Sequence, residues 1–259
     1  MKEYILEIWR RRSLIYYLTV SGLKAQHRDS FIGYFWLLLD PLLSIAIYYF
    51  IVAILFRSGG SDFGMYLVIG IVFFQWGTGT INTSSKSIIT RESLIKQINM
   101  PKLIFPIGAS FTTLVNFSFS LIIVVIFLIC SHMLPSGKIL WFPFIACIQL
   151  LFFMSLGFFA AYVSVFIRDF DNILKHLLRI WFYASPVIWK EDMAISQKIG
   201  WVIKYNPMAY ILRGYRNIIM YDKNPEVLIL LVIGAGAVII IGCMTYYYYN
   251  NEHKMIKVL

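Results

Sequence analysis

Charged residues are scarce in this sequence, at 14% of its 259 residues, where a soluble domain carries about 25%. It also lacks any polar block near the roughly 100 residues that a second, soluble catalytic domain needs. Apolar residues instead make up 59% of the chain, against about 45–50% in soluble domains. These proportions exclude an ordinary soluble enzyme and leave room for about five to seven membrane spans.

The motifs that usually carry catalysis are missing as well. No G-x-x-x-x-G-K-[ST] phosphate loop and no G-x-S-x-G elbow occur, so we expect the chain not to hydrolyse nucleotide itself. The four histidines are scattered, and Cys130, Cys147 and Cys243 fall in apolar runs, where we expect them to be buried. We therefore expect no catalytic residue, no metal site and no cofactor in this chain, and favour transport of a solute or lipid.

Long apolar runs dominate what is present. Residues 36–56 form a run without a polar face, about as long as a helix needs to cross the hydrocarbon core. Further long runs cover 65–83, 107–133, 141–167 and 227–249. A shorter run at 177–189 extends back to Phe170 and carries a polar stripe of Asp171, Lys175 and Arg179. Counting it as a crossing, the pattern predicts an all-α membrane protein with six transmembrane helices.

Two regions outside the long runs are apolar but too short to cross. Residues 1–35 are basic and amphipathic, which favours an amino-terminal interfacial helix; the alternative is a cleaved signal peptide after Arg10, Arg11 and Arg12, but no cleavage-site pattern follows. Residues 190–227 hold two short runs, 194–205 and 208–221. We expect these to enter the membrane and return as re-entrant helices, with a surface hairpin as the alternative. The sequence thus divides into an arm, 1–35, and a single transmembrane domain, 36–259.

Residues 84–106 are polar and lie between the second and third spans. Leu94, Ile95 and Ile98 share one face of a short helix, and Glu92 and Lys96 form an i,i+4 pair. The segment therefore predicts a helix outside the membrane with an apolar stripe available to a partner.

The distribution of basic residues favours one orientation. An even number of spans places both termini on one side, and the short segments on that side hold most of the Lys and Arg residues. Both termini are therefore expected in the cytoplasm. The net charge of +10 is expected to face anionic lipid headgroups, not nucleic acid.

Several stretches, in order along nearly the whole chain, resemble the permease subunits of ABC-2 type exporters of lipid-linked polysaccharides (O antigen of lipopolysaccharide, capsule and teichoic acid). The matching stretches are Gly33-Tyr34-Phe35-Trp36, Asp40-Pro41-Leu42, Met100 to Pro106, Phe166-Ile167-Arg168-Asp169, Ser185-Pro186-Val187, Asn206-Pro207-Met208-Ala209 and Arg213-Gly214-Tyr215-Arg216. The resemblance implies a homodimer in the bacterial cytoplasmic (inner) membrane, with two separate ATP-binding cassette ATPase subunits that bind the ATP and Mg²⁺.

The resemblance also suggests where the partner and the substrate bind. The segment from about residue 87 to 99 resembles the coupling helix that docks on the ATPase. Its candidate residues are Arg91, Glu92, Leu94, Ile95, Lys96 and Ile98. A glycan path between the two copies would be rich in aromatic side chains, on which sugars stack. The candidates for this path are Tyr48, Tyr49, Phe73, Phe74 and Trp76, with Arg213 and Arg216 as candidates for contact with a lipid-carrier phosphate.

Two alternatives stay open on the sequence. The first is an ABC-2 exporter of a drug or small lipid. The second, from a different class, is an integral-membrane transferase, for which a single acid or histidine near the interface would be essential.

Overall fold

The computed structural model describes residues 1–27, 31–57, 60, 62–98, 100–133, 136–167, 169–196 and 200–259. Within these ranges every regular element is a helix. Asn99, at the expected end of the coupling segment, and Arg168, in one of the matching stretches, lie outside them.

The amino-terminal arm contains two helices, α1 (Lys2–Arg10) and α2 (Arg12–His27). The second packs closely against a later helix, α6 (Ile104–Cys130). A methyl group added at Gly108 of α6 would lie 3.0 Å from the side chain of Leu18, and the Thr112 hydroxyl donates to the Thr19 carbonyl at 3.2 Å. The arm, expected as one helix, is thus a helical pair held against the transmembrane bundle.

In the part of the chain that the structure describes, five helical segments are long and apolar enough to cross a membrane. The first combines a 3₁₀ turn (Gly33–Phe35), α3 (Trp36–Tyr49) and a π-helical turn (Phe50–Leu55). The others are α4 (Phe63–Lys86), α6, α7 (Phe142–Phe166) with the preceding 3₁₀ turn Gly137–Trp141, and α12 (Val227–Val258). The five long runs of the sequence are therefore confirmed as long helices, with ends that differ by a few residues.

Helix α4 lies at the centre of the bundle, where it contacts α3, α6 and α7. Its packing depends on small residues, because Gly77 faces the ring of Phe153 and a methyl group at Gly157 would lie 2.8 Å from the Ser84 hydroxyl. Gly157 of α7 thus lets α4 approach closely.

The termini and the coupling segment lie at one end of the bundle. After α4 come a 3₁₀ turn (Ile89–Arg91) and the short α5 (Glu92–Gln97). The Tyr4 hydroxyl donates to Glu252 at 2.8 Å, and the Lys96 ammonium donates to the Leu259 carbonyl at 2.6 Å. The last helix, expected to end near Tyr249, continues to Val258, so the tail is part of α12.

The shorter helix α8 (Phe170–Ala184) runs antiparallel to α4. Asp171, in its first turn, pairs with Lys86 at the end of α4 at 3.4 Å. Just beyond its other end, the Trp189 carbonyl accepts a hydrogen bond from Tyr66, near the beginning of α4, at 2.9 Å. At 15 residues, α8 is not among the five segments long enough to cross by length and composition.

Three helices follow where two short runs are expected: α9 (Glu191–Ser196), α10 (Gly200–Lys204) and α11 (Pro207–Ile219). Asn206 begins α11 by accepting a hydrogen bond from the Met208 N–H at 3.0 Å, with Pro207 in the first turn. The Asn206 amide also donates to the Ser185 hydroxyl at 2.8 Å, which joins this region to the end of α8.

The cysteine prediction is wrong. Cys130, Cys147 and Cys243 are free and exposed, since each lies on a helix face that no other described helix covers. In a membrane bundle such faces meet lipid, so apolar surroundings in the sequence do not imply burial within the protein.

Candidate functional site

A groove of about 260 Å³ lies between α3, α4 and α8, and it is partly open at the surface of the molecule. Its lining combines polar and aromatic side chains: Ser44, Tyr48, Ile71, Phe74, Gln75, Thr78, Asn82, Leu178, Arg179, Phe182 and Tyr183. The Gln75 amide donates to the Ser44 hydroxyl at 3.0 Å, which joins α3 to α4 across the groove.

Helical periodicity explains the polar wall of the groove. Gln75, Thr78 and Asn82 are spaced i, i+3 and i+7, so they share one face of α4. All three are half-buried, whereas most of the apolar half of α4 that precedes them is fully buried. Amide and hydroxyl groups in the middle of a bundle helix are favourable only where they meet protein or water. This face of α4 is therefore suited to a polar ligand.

The structure brings only some of the predicted path residues to the groove. Tyr48 and Phe74 line it, while Tyr49 points to a separate apolar pocket with Phe127 and is 43% exposed. Phe73 and Trp76 are core residues instead. Phe73 stacks on Tyr215 with ring centroids 3.8 Å apart, and Trp76 stacks on Phe117 at 4.1 Å.

Arg213, predicted to meet a phosphate, is already neutralised by two carboxylates. Its guanidinium donates to Glu191 Oε2 at 2.9 Å and to Glu226 Oε1 at 2.8 Å. It thereby links α9, α11 and the beginning of α12. A phosphate would have to displace these carboxylates, so the geometry favours a structural role.

Arg216, the other predicted phosphate contact, is 2% exposed. Its guanidinium lies 3.3 Å from the centroid of the Tyr66 ring and donates to the Tyr66 carbonyl at 3.2 Å. These contacts place it inside the protein, where it packs α11 against α4, and not on a surface that a substrate reaches.

The coupling segment places its predicted residues in different environments. Ile95 is 2% exposed and belongs to a buried cluster with Tyr4, Leu103 and Met255. Leu94 packs against the edge of this cluster, and Ile98 is 45% exposed. Ile95 therefore anchors the segment, and Ile98 presents its apolar surface.

The predicted charged residues of this segment also lie in different environments. Glu92 and Lys96 form the expected i,i+4 pair, at 2.5 Å, on the exposed side. Arg91 is half-buried, and its burial lowers the pKa of its guanidinium. Its side chain lines a second cavity, between α2 and α4.

Five residues that line the groove were not predicted from the sequence to do so: Ser44, Gln75, Thr78, Asn82 and Arg179. The i, i+3, i+7 spacing of polar residues within the second span was the available signal. In the part of the chain that the structure describes, no three His, Cys, Asp or Glu side chains group as metal ligands would.

The profile of the ABC-2 type transporter family matches residues 13–220, which is most of the chain. The chain belongs to this family. Relatives of this ABC-2 transporter chain include an O-antigen export system permease, RfbA, of Myxococcus xanthus, 25% identical over 242 residues and covering 93% of both proteins. Two proteins of the same name from Klebsiella pneumoniae are 28% identical, one over 208 residues (80% of both chains) and the other over 231 (88% of this chain and 89% of the relative).

Family membership and the long helices together establish the general class. This ABC-2 chain is a multi-pass membrane protein and a transport subunit.

Proposed function

We propose that this chain is the permease subunit of an exporter that moves a lipid-linked polysaccharide across the bacterial cytoplasmic membrane. O antigen, capsular polysaccharide and teichoic acid are the polymers of this type. The family match and the relatives named as O-antigen export permeases support this substrate class. The observation that carries the proposal is the groove between α3, α4 and α8. The polar and aromatic side chains that α3 and α4 give to it lie about halfway along two segments of membrane-spanning length.

A second copy of the chain would close this groove. On one copy the polar face of α4 is open, and an open polar face at membrane depth is unfavourable against lipid. Two copies meeting along α3 and α8 would enclose a path with hydroxyl and amide groups for sugar hydroxyls and with aromatic faces for sugar rings. Tyr48, Phe74 and Gln75 are the residues we assign to this path.

The course of the chain supports six crossings. Both α7 and α12 run toward the end of the bundle that holds the termini, since Phe158 contacts Tyr248 and α12 ends beside Lys96. The chain must therefore cross back between them, and α8 is the helix that makes this crossing. Because α8 spans only about 22 Å, the segment from Ser185 to Trp189 completes it, and α9 to α11 form the re-entrant region.

A separate ATPase would supply the energy at the end of the bundle that holds the termini, which we assign to the cytoplasm. Ile98, Leu94 and the Glu92–Lys96 pair are the docking surface that we propose, with Ile95 as its anchor. ATP and Mg²⁺ would be bound by that partner.

Two neighbouring tyrosines test the proposed path. We expect Tyr48→Leu to reduce export at least about tenfold, because it removes a hydroxyl and a stacking face from the groove. Tyr49→Leu is the matched control, since Tyr49 lies outside the groove, and it should export normally. The measurement is the amount of polymer at the surface of cells that lack their own permease, at equal levels of the variants in the membrane. Equal export by the two variants would contradict the proposed path.

A further inference from the structure

A second cavity, of about 340 Å³, lies between α2, the last turn of α4 and the beginning of α6. Among the described residues, Asn82 alone lines both this cavity and the groove, and the cavity lies near the end of the bundle that holds the termini. Its lining residues are Leu18, Gly22, Gln26, Asn82, Thr83, Lys86, Ser87, Thr90, Arg91, Ala109 and Thr112.

The charged side chains among the described lining residues of this cavity are all basic. They are Lys86 and Arg91, and no acidic residue is among the lining residues that the structure describes. Lys86 lies 3.4 Å from Asp171 of α8, a long and half-exposed ion pair. None of the ion pairs among the described residues includes Arg91, although its side chain is half-buried. A half-buried guanidinium without a carboxylate partner favours binding of an anion.

A buried polar group in the wall also lacks a partner. Asn82 Oδ1 is buried and makes no hydrogen bond to any described residue. Buried amide groups normally do make hydrogen bonds. Asn82 also lines the cavity, and its amide group can act as a hydrogen-bond donor there. Asn82, Lys86 and Arg91 would then supply donors to one ligand.

Part of the remaining wall of the cavity is apolar, beside neutral polar side chains such as Gln26 and Thr83. Leu18 and Ala109 are buried there, and Gly22 approaches α6 so closely that a methyl group on it would lie 2.9 Å from the Thr112 hydroxyl. A cationic rim beside an apolar wall matches the junction between a phosphate headgroup and its hydrocarbon chain.

We propose that this cavity binds the phosphate group of a lipid, with Arg91 and Lys86 as the residues that hold it. The lipid is either the phosphate-linked carrier of the exported polymer or a bilayer phospholipid. This proposal rests on the proposed function, because it requires this end of the bundle to face the cytoplasmic leaflet. It also gives Arg91 a role separate from docking of the ATPase.

The test uses the full chain with its ATPase in phosphatidylcholine nanodiscs and tritiated farnesyl diphosphate as the probe. We expect saturable binding by the wild type. The double substitution Lys86→Gln with Arg91→Gln should weaken it at least about tenfold, because charged hydrogen bonds to phosphate are lost. Arg91→Lys should bind better than Arg91→Gln, since it keeps the charge. Arg10→Gln is the control, because Arg10 is exposed on α1 and does not line the cavity.

Competition separates the two sources of the phosphate. Displacement by unlabelled farnesyl diphosphate but not by dioctanoyl phosphatidylglycerol assigns the site to a carrier lipid, and equal displacement by both assigns it to phospholipid headgroups. Either result supports a phosphate site. Displacement by farnesol as effective as that by the diphosphate would overturn it, as would unchanged binding in the double variant.

Failure of the phosphate site and failure of the proposed function give different results. If the double variant binds the probe like the wild type while the wild type exports polymer, only the phosphate site is wrong. If the wild type binds the probe but exports no polysaccharide, the proposed function is wrong and the site stands. If the ATPase co-purifies with Arg91→Gln as it does with the wild type, Arg91 binds phosphate without contributing to ATPase docking. If the ATPase no longer co-purifies, Arg91 belongs to the docking surface.

Discussion

The backbone N–H of Lys102 donates to Glu252 Oε1 at 2.8 Å, although the two residues are 150 positions apart in the chain. The same oxygen accepts the hydroxyl of Tyr4, also at 2.8 Å. One carboxylate therefore joins the amino-terminal helix, the segment after α5 and the end of α12. The proposed ATPase docking surface is built on this junction.

Loss of the Glu252 carboxylate should loosen this end of the protein. We expect Glu252→Ala to destabilise it locally by about 1–3 kcal/mol, because two donors lose their acceptor. Hydrogen–deuterium exchange should then accelerate in residues 1–10 and 100–106 and stay unchanged in α4. Lys254→Ala is the control, since Lys254 is exposed on the same helix. Equal protection in both variants would show that the carboxylate does not hold the junction.

The opposite end of the bundle should respond to acid through Asp222. The Ser136 hydroxyl donates to Asp222 Oδ1, and the Lys138 ammonium lies 3.2 Å from the same oxygen. Both contacts lower the pKa of the Asp222 carboxyl group. A lowered pKa means that the folded protein favours the charged form. The stabilisation is therefore present above the unfolded value of about 3.9 and is lost as the pH falls through the lower, folded value.

The measurement is hydrogen–deuterium exchange of the Gly137–Trp141 turn, expressed as a protection factor. The protection factor corrects for the intrinsic effect of pH on exchange. It should be constant from pH 7 to about 5 and fall below about 4. Asp222→Asn should have low protection throughout; asparagine tolerates the left-handed backbone at this position, where φ is 48°. A pH-dependent protection factor in Asp222→Asn would exclude this carboxyl group as the cause.

Replacing each of two glycines of α4 by alanine should change the stability of the protein in different ways. A methyl group at Gly77 would overlap the ring of Phe153, whereas at Gly79 it would meet nothing within 4 Å. We expect Gly77→Ala to destabilise the protein by about 1–3 kcal/mol through overpacking. Gly79→Ala should be neutral or stabilise it by about 0.5–1 kcal/mol, because a helical glycine is removed. Thermal unfolding in detergent compares them, and the same sign of change in both would refute this account of α4 packing.

Ile98 should be needed for coupling and not for folding. We expect Ile98→Asp to lower export several-fold and to leave folding unchanged, since the side chain is 45% exposed. Ser93→Asp introduces the same charge on α5, which ends just before Ile98, without removing an apolar group, and should export normally. Export per molecule of permease, with the ATPase activity of the purified complex, gives the comparison. Normal export by Ile98→Asp would remove this residue from the docking surface.

The sequence predicts which segments are long helices but not how they pack. Hydropathy identified five of them, yet the least apolar of the five, α4, is the most buried. A helix surrounded by protein needs small and polar residues such as Gly77 and Ser84, whereas lipid-facing helices are uniformly apolar. The aromatic residues predicted to line the glycan path likewise differ in position: some line the groove, and others lie in the core. Rings in adjacent positions, such as Phe73 and Phe74, face different neighbours on a helix, and composition does not distinguish them.

Long-range contacts explain the other differences. Arg213 and Arg216 look alike in the sequence, but one is paired with Glu191 and Glu226 and the other lies over Tyr66. The extension of α12 to Val258 likewise depends on packing of Met255 beside Tyr4 and Leu103. No local pattern contains these partners.

Reconstitution tests the central claim most directly. The purified chain is placed in liposomes with a lipid-linked polysaccharide in the outer leaflet, with and without the ATPase, and with the ATP side matched to the end that carries α5. The account predicts that polymer becomes protected inside the liposomes only when both the ATPase and ATP are present. Equal transfer by the chain alone would contradict it.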